Sequence, residues 1–265
     1  MKNLVKLTPA VHEKVWGSTL TEPWLANPEG RKIGEVWFSA PDIMPVLVKL
    51  LFTTERLSVQ VHPDDAYAQA HGAARGKTEM WHILRHDPGA DVAVGLCESV
   101  SGERLRESAQ NGEIVELLNW VPARTGDTFF VQAGTIHAIG GGLVLCEIQQ
   151  LSDATYRLYD YHRQPERTLH LDDSLAVASL QPADCRRQAL GELLAECEYF
   201  RTERLEVQGK VTRAAIPHPV IYVAVAGQGK IAGEPFSTGE AWLAHPNATL
   251  AIEADNAVFI AASGE

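Results

Sequence analysis

Residues 124–157 read RTGDTFFVQAGTIHAIGGGLVLCEIQQLSDATYR, and this stretch decides the expected fold. The β-prone segment from Thr128 to Val131 leads into a turn at Gly134, and a lone histidine, His137, follows the turn. A second apolar strand, Leu143 to Gln150, ends in a polar run of acidic and basic residues. Strands that bring such side chains close together predict a functional site as well as part of a core.

The composition of the whole chain predicts a globular protein that acts on a small molecule. Its 265 residues are 45% hydrophobic, which is enough to bury a sizeable core. The net charge of −11 argues against binding to nucleic acid or an anionic membrane, because both require a positive field. We find no signal-peptide core, no apolar run of about 18 residues and no CxxC pair. We therefore expect a cytoplasmic protein, whose oligomeric state the sequence does not define.

Two further predicted strands carry polar side chains on one face. Residues 57–62, LSVQVH, alternate with a period of two, so that Gln60 and His62 share a face. Residues 77–84, KTEMWHIL, alternate in the same way and place Glu79 on one face. A glutamine and a histidine alone would more often lie on a solvated face, but here a carboxylate and a third strand accompany them.

These side chains form a mixed set of oxygen and nitrogen ligands for a divalent cation. The set offers one amide oxygen, two imidazoles and one carboxylate, from Gln60, His62, Glu79 and His137. Such a set suits Zn²⁺, with Fe²⁺, Mn²⁺ and Co²⁺ as alternatives. It contains no thiolate and leaves room for water, which is typical of a catalytic centre.

The rest of the chain is expected to pack around these strands. Residues 99–120 predict a pair of short helices, with Ser101 as the N-cap of the first. Another helix is expected around residues 172–180, and residues 183–210 are only loosely patterned. From Val220 onward, short period-two segments separated by glycine-rich turns predict a second small barrel.

Four motifs carry a resemblance to a known family. The spacing of Gly126, Gln132, Gly134 and His137 resembles the second cupin motif, and QVH at 60–62 with Glu79 resembles the first. More narrowly, the chain is similar to type I phosphomannose isomerases. The matching segments are LSVQVHPDD (57–65), GKTEMW (76–81), AGTIHA (133–138) and LCEIQQLSDATYRLYD (145–160).

This resemblance implies a mainly β fold with two cupin (jelly-roll) β-barrels. Residues 1–165 would form the catalytic barrel, with a reduced helical segment at 99–120, and residues 166–265 a cupin-like domain without metal ligands. It also implies interconversion of mannose 6-phosphate and fructose 6-phosphate through an enediol. One Zn²⁺ per chain would be held by Gln60, His62, Glu79 and His137.

The resemblance also implies roles for residues around the metal. Arg157 matches the family's active-site arginine and would bind phosphate or the enediolate. Glu147 matches an acidic residue proposed as the general base, although an ion pair with a lysine or arginine is an equally weighted interpretation. Asp153 is the competing base and a candidate contact for substrate. Lys77 would bind phosphate or assist proton transfer, and further phosphate contacts are expected from Ser58 and Arg163.

One departure from the family pattern leaves other functions open. Residues 39–45 stand where most family members carry a long helical insertion, so the cover over the substrate is expected to be reduced. Two alternatives are a cupin oxidoreductase or dioxygenase and a non-catalytic sugar-phosphate-binding protein. Gln60 as a ligand argues against the first, because such enzymes use histidines and one carboxylate on Fe²⁺.

Overall fold

A computed structural model, which describes residues 3–40, 42–44, 46–183, 186–187 and 191–264, confirms a mainly β fold. The strands, β1 to β20 in chain order, are Leu4–Lys6, Ala10–Ser18, Ile33–Phe38, Val46–Phe52, Val59–Val61, Glu79–His86, Asp91–Leu96, Leu118–Pro122, Thr128–Val131, His137–Ile139, Leu143–Gln150, Tyr156–Tyr159, Arg186–Arg187, Leu193–Glu196, Arg201–Arg213, Val220–Ala226, Gln228–Ile231, Glu234–Ser237, Ala241–Ala244 and Leu250–Ser263. The helices, α1 to α4, are Asp65–Ala70, Gly102–Asn111, Ile114–Leu117 and Leu171–Val177.

The chain forms two compact units that interleave along the sequence. One unit contains Met1–Phe52, Cys146–Ile148 and Gln188–Glu265, and the other contains Thr53–Leu145 and Gln149–Arg187. The first fifty-two residues join the C-terminal strands because β1 pairs with β19. The two compact units are interleaved in sequence and do not correspond to two barrels divided at residue 165. The two barrels and their boundary therefore stay a prediction.

The unit formed by Thr53–Leu145 and Gln149–Arg187 contains a five-stranded antiparallel sheet in the order β12-β5-β10-β7-β8. Helices α2 and α3 pack over one face of this sheet. The apolar cluster between them takes Val59, Val61, Ala93, Leu96, Ile136, Ala138 and Leu158 from the sheet side and Leu105, Ala109, Ile114 and Leu117 from the helices. Because side chains alternate along a strand, the polar residues next to these core residues lie on the opposite face.

The same unit contains β6, which pairs with β9, and β9 in turn pairs with β13. The chain returns from β5 to β6 through α1, and Lys77 N donates to Pro63 O at 2.9 Å. Gly76 permits this close return, since a Cβ there would lie 2.6 Å from Pro63 O. The turn therefore brings the residues that follow β5 beside those that precede β6.

The other unit contains an eight-stranded antiparallel sheet, whose main path is β1-β19-β16-β20-β15-β14. Strands β17 and β18 form a hairpin, and β17 also pairs with β20. Strands β2, β3 and β4 pair in sequence in the same unit. Its core cluster is built largely from the C-terminal strands, with Tyr222, Phe236, Trp242 and Phe259 as its aromatic members.

Most predicted elements are confirmed, and the differences lie in the C-terminal part. Helix α2 begins after Ser101, whose side chain accepts from Arg104 N, and it ends at Gly112 with a φ of 88°. The segment from 183 to 210, interpreted as loosely patterned, contains most of the 13-residue strand β15. Strand β20 runs unbroken over 14 residues in a region where the sequence predicts only short segments. No helix among the described residues has the length and apolar character needed to cross a membrane.

Candidate metal centre and active site

Three neighbouring strands place a row of polar side chains across the face of the five-stranded sheet that lies opposite α2. His137 of β10 pairs directly with Gln60 of β5, and Gln60 pairs directly with Arg157 of β12. Directly paired residues on antiparallel strands point to the same face. The strand register therefore joins an imidazole, an amide and a guanidinium that are far apart in the sequence.

His62 and Glu79 complete the cluster from the end of β5 and the start of β6. The Nε2 atom of His62 lies 3.4 Å from Glu79 Oε2, and His137 Nε2 lies 3.6 Å from Glu79 Oε1. The amide Nε2 atom of Gln60 lies 3.2 Å from the Nε2 atom of His137. His62, Glu79 and His137 are each at most 1% exposed.

Backbone carbonyls fix the tautomer of both histidines. His62 Nδ1 lies 2.9 Å from Ala154 O, and His137 Nδ1 lies 2.9 Å from Thr135 O. Because a carbonyl oxygen only accepts, each Nδ1 carries the proton and each Nε2 presents its lone pair to the cluster. Burial and the charge of Lys77 lower the pKa of His62 to about 3, and burial also lowers the pKa of His137. Both rings are therefore neutral at physiological pH, as metal binding requires.

Glu79 supplies the negative charge of the cluster. Its Oε1 accepts from the indole Nε1 of Trp81 at 3.0 Å, and its Oε2 lies 2.8 Å from Lys77 Nζ. Burial alone would raise the pKa of this carboxyl, but Lys77 and His62 hold the pKa well below its usual range. The carboxylate is therefore ionised and completely buried, which is costly unless it faces a cation.

The cluster fits a divalent cation. One ligand atom from each of His62, Glu79 and His137 lies within 4.8 Å of the other two. Two neutral imidazoles and one carboxylate are a donor set that zinc enzymes use. Gln60 stands beside His137 and can turn its amide to present Oε1 to the same point. The structure thus brings together all four ligands that the sequence predicts.

Lys77, Ser58 and Arg157 lie around these ligands. Lys77 is only 4% exposed, and its Nζ lies 3.0 Å from His62 Nε2. Ser58 Oγ is within 3.4 Å of Gln60 Oε1 and accepts from Arg157 Nε at 3.3 Å. The half-buried Arg157 therefore reaches the row of ligands through Ser58.

The remaining predicted site residues have other surroundings. Glu147 and Lys49 belong to the same compact unit. Lys49 Nζ lies 2.9 Å from Glu147 Oε1, and both side chains are 5% exposed. The Lys49 ammonium also lies 4.8 Å from the ring centroid of Trp37. Asp153 is exposed between β11 and β12. Arg163 donates to Asp160 Oδ1 at 2.8 Å and to a backbone carbonyl, so these contacts engage its guanidinium.

Sequence reasoning missed three residues of this region. Lys49 carried a visible signal, because it is the one charged residue in the apolar run VLVKLLF. Trp81 follows Glu79 by two residues in the alternating segment 77–84, but its bond to the carboxylate depends on a rotamer that periodicity does not predict. His170 lies outside all four matching segments, and it contacts the backbone of Arg157 across a separation of thirteen residues.

Comparisons with known proteins show which proteins the chain is similar to. No protein-family model matches the chain. A mannose-6-phosphate isomerase of Streptococcus mutans is 37% identical over 204 residues, which span 73% of this chain and 64% of the relative. The chain thus covers less than two thirds of that relative. The mannose-6-phosphate isomerase ManA of Bacillus subtilis is 31% identical, and the match spans 88% of this chain and 90% of ManA.

Solved structures show the same fold. The crystal structure of a Bacillus subtilis mannose 6-phosphate isomerase matches with a TM-score of 0.85 at 25% identity, covering 98% of this chain and 99% of that chain. A zinc-bound mannose 6-phosphate isomerase matches with a TM-score of 0.77 at 14% identity. This match covers 99% of this chain and 100% of that chain. The second likeness concerns the fold alone.

Proposed function

The chain belongs to the mannose-6-phosphate isomerase family, and we propose that it interconverts mannose 6-phosphate and fructose 6-phosphate on a single zinc ion. The observation that carries this proposal is the convergence of two neutral imidazoles and a buried carboxylate beside Gln60. Arg157 belongs to the same row of paired residues and supplies a permanent positive charge. A cytoplasmic location also remains part of the proposal.

The reaction defines what the side chains must do. Moving a proton between C1 and C2 of a sugar requires stabilisation of negative charge on oxygen, a base near both carbons and an anchor for phosphate. Zinc held by Gln60, His62, Glu79 and His137 would supply a Lewis acid for the sugar oxygens. Arg157 would bind the phosphate or the enediolate through its forked guanidinium.

The proposed base is Glu147, and its ion pair has a chemical consequence. Lys49 Nζ lies 2.9 Å from Glu147 Oε1, so an ammonium group holds in place the carboxyl group that would take the proton. The same pair is also what a purely structural carboxylate would form. Asp153 remains the competing base, and its exposed position leaves it free to approach substrate from solvent.

Lys77, Ser58 and Arg163 are proposed to contact the substrate. Lys77 is buried beside Glu79, where its ammonium would attract an anionic substrate or hold a proton during transfer. Ser58 aligns Arg157 and offers a hydroxyl to the phosphate. Arg163 would take part only by exchanging its contact with Asp160, and it is therefore the weakest of the three.

An assay of mannose 6-phosphate turnover, on chelated and then zinc-reconstituted protein, tests the function. We expect chelation to abolish conversion and zinc to restore it. An absence of turnover in the metal-loaded protein would overturn the proposed isomerase function. In that case oxygen uptake would support an oxidoreductase, and substrate binding without exchange of the C2 proton would support a sugar-phosphate sensor.

Two pairs of variants test the residue roles. We expect Glu147→Gln to lose roughly a hundredfold or more in kcat while it keeps its zinc, whereas Asp153→Asn stays near wild type. A larger loss of kcat in Asp153→Asn than in Glu147→Gln would identify Asp153 as the base. We expect Arg157→Ala to weaken kcat/KM strongly and Arg163→Ala to weaken it little. Normal kinetics in Arg157→Ala would overturn the proposal that Arg157 anchors the phosphate.

A further inference from the structure

His170 completes the hydrogen bonding of β12 at the position of Arg157. Among the described strands, β12 is the last one of its sheet, so one side of its backbone has no strand partner within the described part of the chain. Arg157 N donates to His170 Nδ1 at 3.1 Å, and His170 N donates to Arg157 O at 2.8 Å. An antiparallel strand exchanges two such bonds with its neighbour. His170 thus replaces a strand residue, with its ring nitrogen in the role of a carbonyl oxygen.

The segment that ends at His170 also holds the guanidinium of Arg157. Arg157 Nη1 donates to Thr168 O at 2.9 Å, while its Nε donates to Ser58 Oγ on the other side. Backbone and side chain of Arg157 are therefore both tied to residues 168–170. Nη2 makes no hydrogen bond within the described part of the chain, which leaves this nitrogen for a ligand.

We propose that His170 is a positioning residue, which fixes Arg157 in the orientation that its guanidinium needs to meet the substrate. This inference rests on the proposed function, because it assumes that Arg157 binds the phosphate or the enediolate. The contact is specific, since a single acceptor at Nδ1 pairs with a single backbone N–H. A permanently charged side chain on an edge strand would otherwise sample several rotamers.

The environment of His170 keeps this acceptor available. Burial lowers the pKa of His170, and the charge of Arg157 lowers the pKa further, while Asp173 of α4 opposes the shift. The ring of Tyr156 lies 6.1 Å from the His170 ring and carries no charge at neutral pH. His170 is therefore neutral at physiological pH, and Nδ1 accepts because Arg157 N donates to it.

Two substitutions at residue 170 separate the acceptor from the ring. The side-chain oxygen of His170→Asn occupies the place of Nδ1 and preserves the acceptor. His170→Phe preserves an aromatic ring and removes the acceptor. We expect roughly a tenfold loss of kcat/KM in His170→Phe and less than about a threefold loss in His170→Asn. Zinc content should stay unchanged in both. His86→Phe, an exposed histidine-to-phenylalanine control in the same unit, should retain wild-type kinetics.

A double-mutant cycle tests whether His170 acts through Arg157. If it does, His170→Phe combined with Arg157→Ala should be no slower than Arg157→Ala alone, and both single variants should change the same kinetic parameter, kcat or KM. Additive losses would overturn the proposal. So would wild-type kinetics in His170→Phe, or an equal loss in the Asn and Phe variants.

Hydrogen exchange at the Arg157 amide keeps this proposal separate from the proposed function. We expect slow exchange in wild type and His170→Asn, and fast exchange in His170→Phe. If zinc-loaded wild type has no turnover, the isomerase is overturned while the exchange rates still decide whether His170 holds Arg157. Slow exchange in His170→Phe would overturn the positioning role whatever the activity.

Discussion

At the scale of single residues, the geometry of the candidate metal centre depends on groups that are not candidate ligands. Two backbone carbonyls orient the imidazoles, and the indole of Trp81 orients the carboxylate of Glu79. Such outer contacts fix the tautomer and the direction of each ligand. A cluster of this kind is organised before the cation arrives, so its affinity depends on the supporting groups as well as on the ligands.

Trp81→Phe tests this support directly. The substitution removes the N–H that donates to Glu79 Oε1 at 3.0 Å and keeps an aromatic side chain in the core. We expect the affinity for zinc to fall by roughly ten- to a hundredfold, measured by competition with a chelator. Trp120→Phe is the matched control, because its indole donates to a backbone carbonyl in the same unit. Equal losses in both variants would contradict the role of Trp81.

The buried histidines predict how the stability of the metal-free protein depends on pH. His62 and His137 have lowered pKa values, so below about pH 6.5 the unfolded chain binds protons that the folded chain does not. Stability therefore falls as pH falls. Glu79 adds nothing in this window, because its lowered pKa makes its contribution disappear only below about pH 4.3.

Urea unfolding of the metal-free protein at pH 7.5 and 5.5 measures this effect. We expect the free energy of unfolding to drop by about 1 kcal/mol for His62 alone between these pH values. The His62→Gln variant should lose less over the same interval, because its side chain does not titrate. A free energy of unfolding that is equal at both pH values would contradict the neutral buried state of the rings.

The convergence of the four side chains proposed as ligands could be predicted in part, because alternation along a strand is a local property of the sequence. Gln60 and His62 share a face whatever the fold, and both end in the cluster. The pairing of Lys49 with Glu147 could not be predicted, because the partner of a buried charge depends on strand order. Only the competing interpretation, that Glu147 pairs with a lysine or arginine, anticipated this contact.

At the scale of elements, regular strands were predictable and irregular ones were not. The apolar runs predict β9 and β11 with the observed bounds, because each run is continuous and lies next to a turn signal. Strand β15 carries alternating charges rather than an apolar run, and its pairing with β20 shifts register between Val207 and Gly209. A bulge interrupts the period that sequence analysis follows. The same shift hid the continuity of β20.

Helix α2 provides a test that separates stability from chemistry. Ser101 accepts from Arg104 N at 3.1 Å, and α2 packs on the face of the five-stranded sheet opposite Gln60. We expect Ser101→Ala to cost about 1 kcal/mol of unfolding free energy in urea, because one capping bond is lost. Ser101→Asp should keep the cap and the stability. The kcat/KM of both variants should match wild type, and a large kinetic loss in Ser101→Ala would contradict this separation.

At the scale of the whole molecule, the charge of the chain and the charge of the site have opposite signs. The chain carries a net charge of −11, yet Lys77 and Arg157 face or adjoin the candidate ligands. The proposed phosphorylated substrate would therefore be recognised by these few local cations, since the overall field does not attract it. This explains why substitution of a single arginine is expected to have a large kinetic effect.

The small helical content predicts how open the site is during the reaction. The sequence predicts a reduced cover over the substrate at residues 39–45, and the helices within the described part of the chain contain between 4 and 10 residues each. If that cover is reduced, water enters with the substrate, and a base that exchanges with solvent loses the proton it has taken from C2. We therefore expect mannose 6-phosphate deuterated at C2 to give fructose 6-phosphate that retains well under roughly half of the label at C1. Mass spectrometry of the product at low conversion measures the retained fraction. Retention of most of the label would mean that the transferred proton is shielded from solvent, and the predicted reduction of the cover would then be wrong.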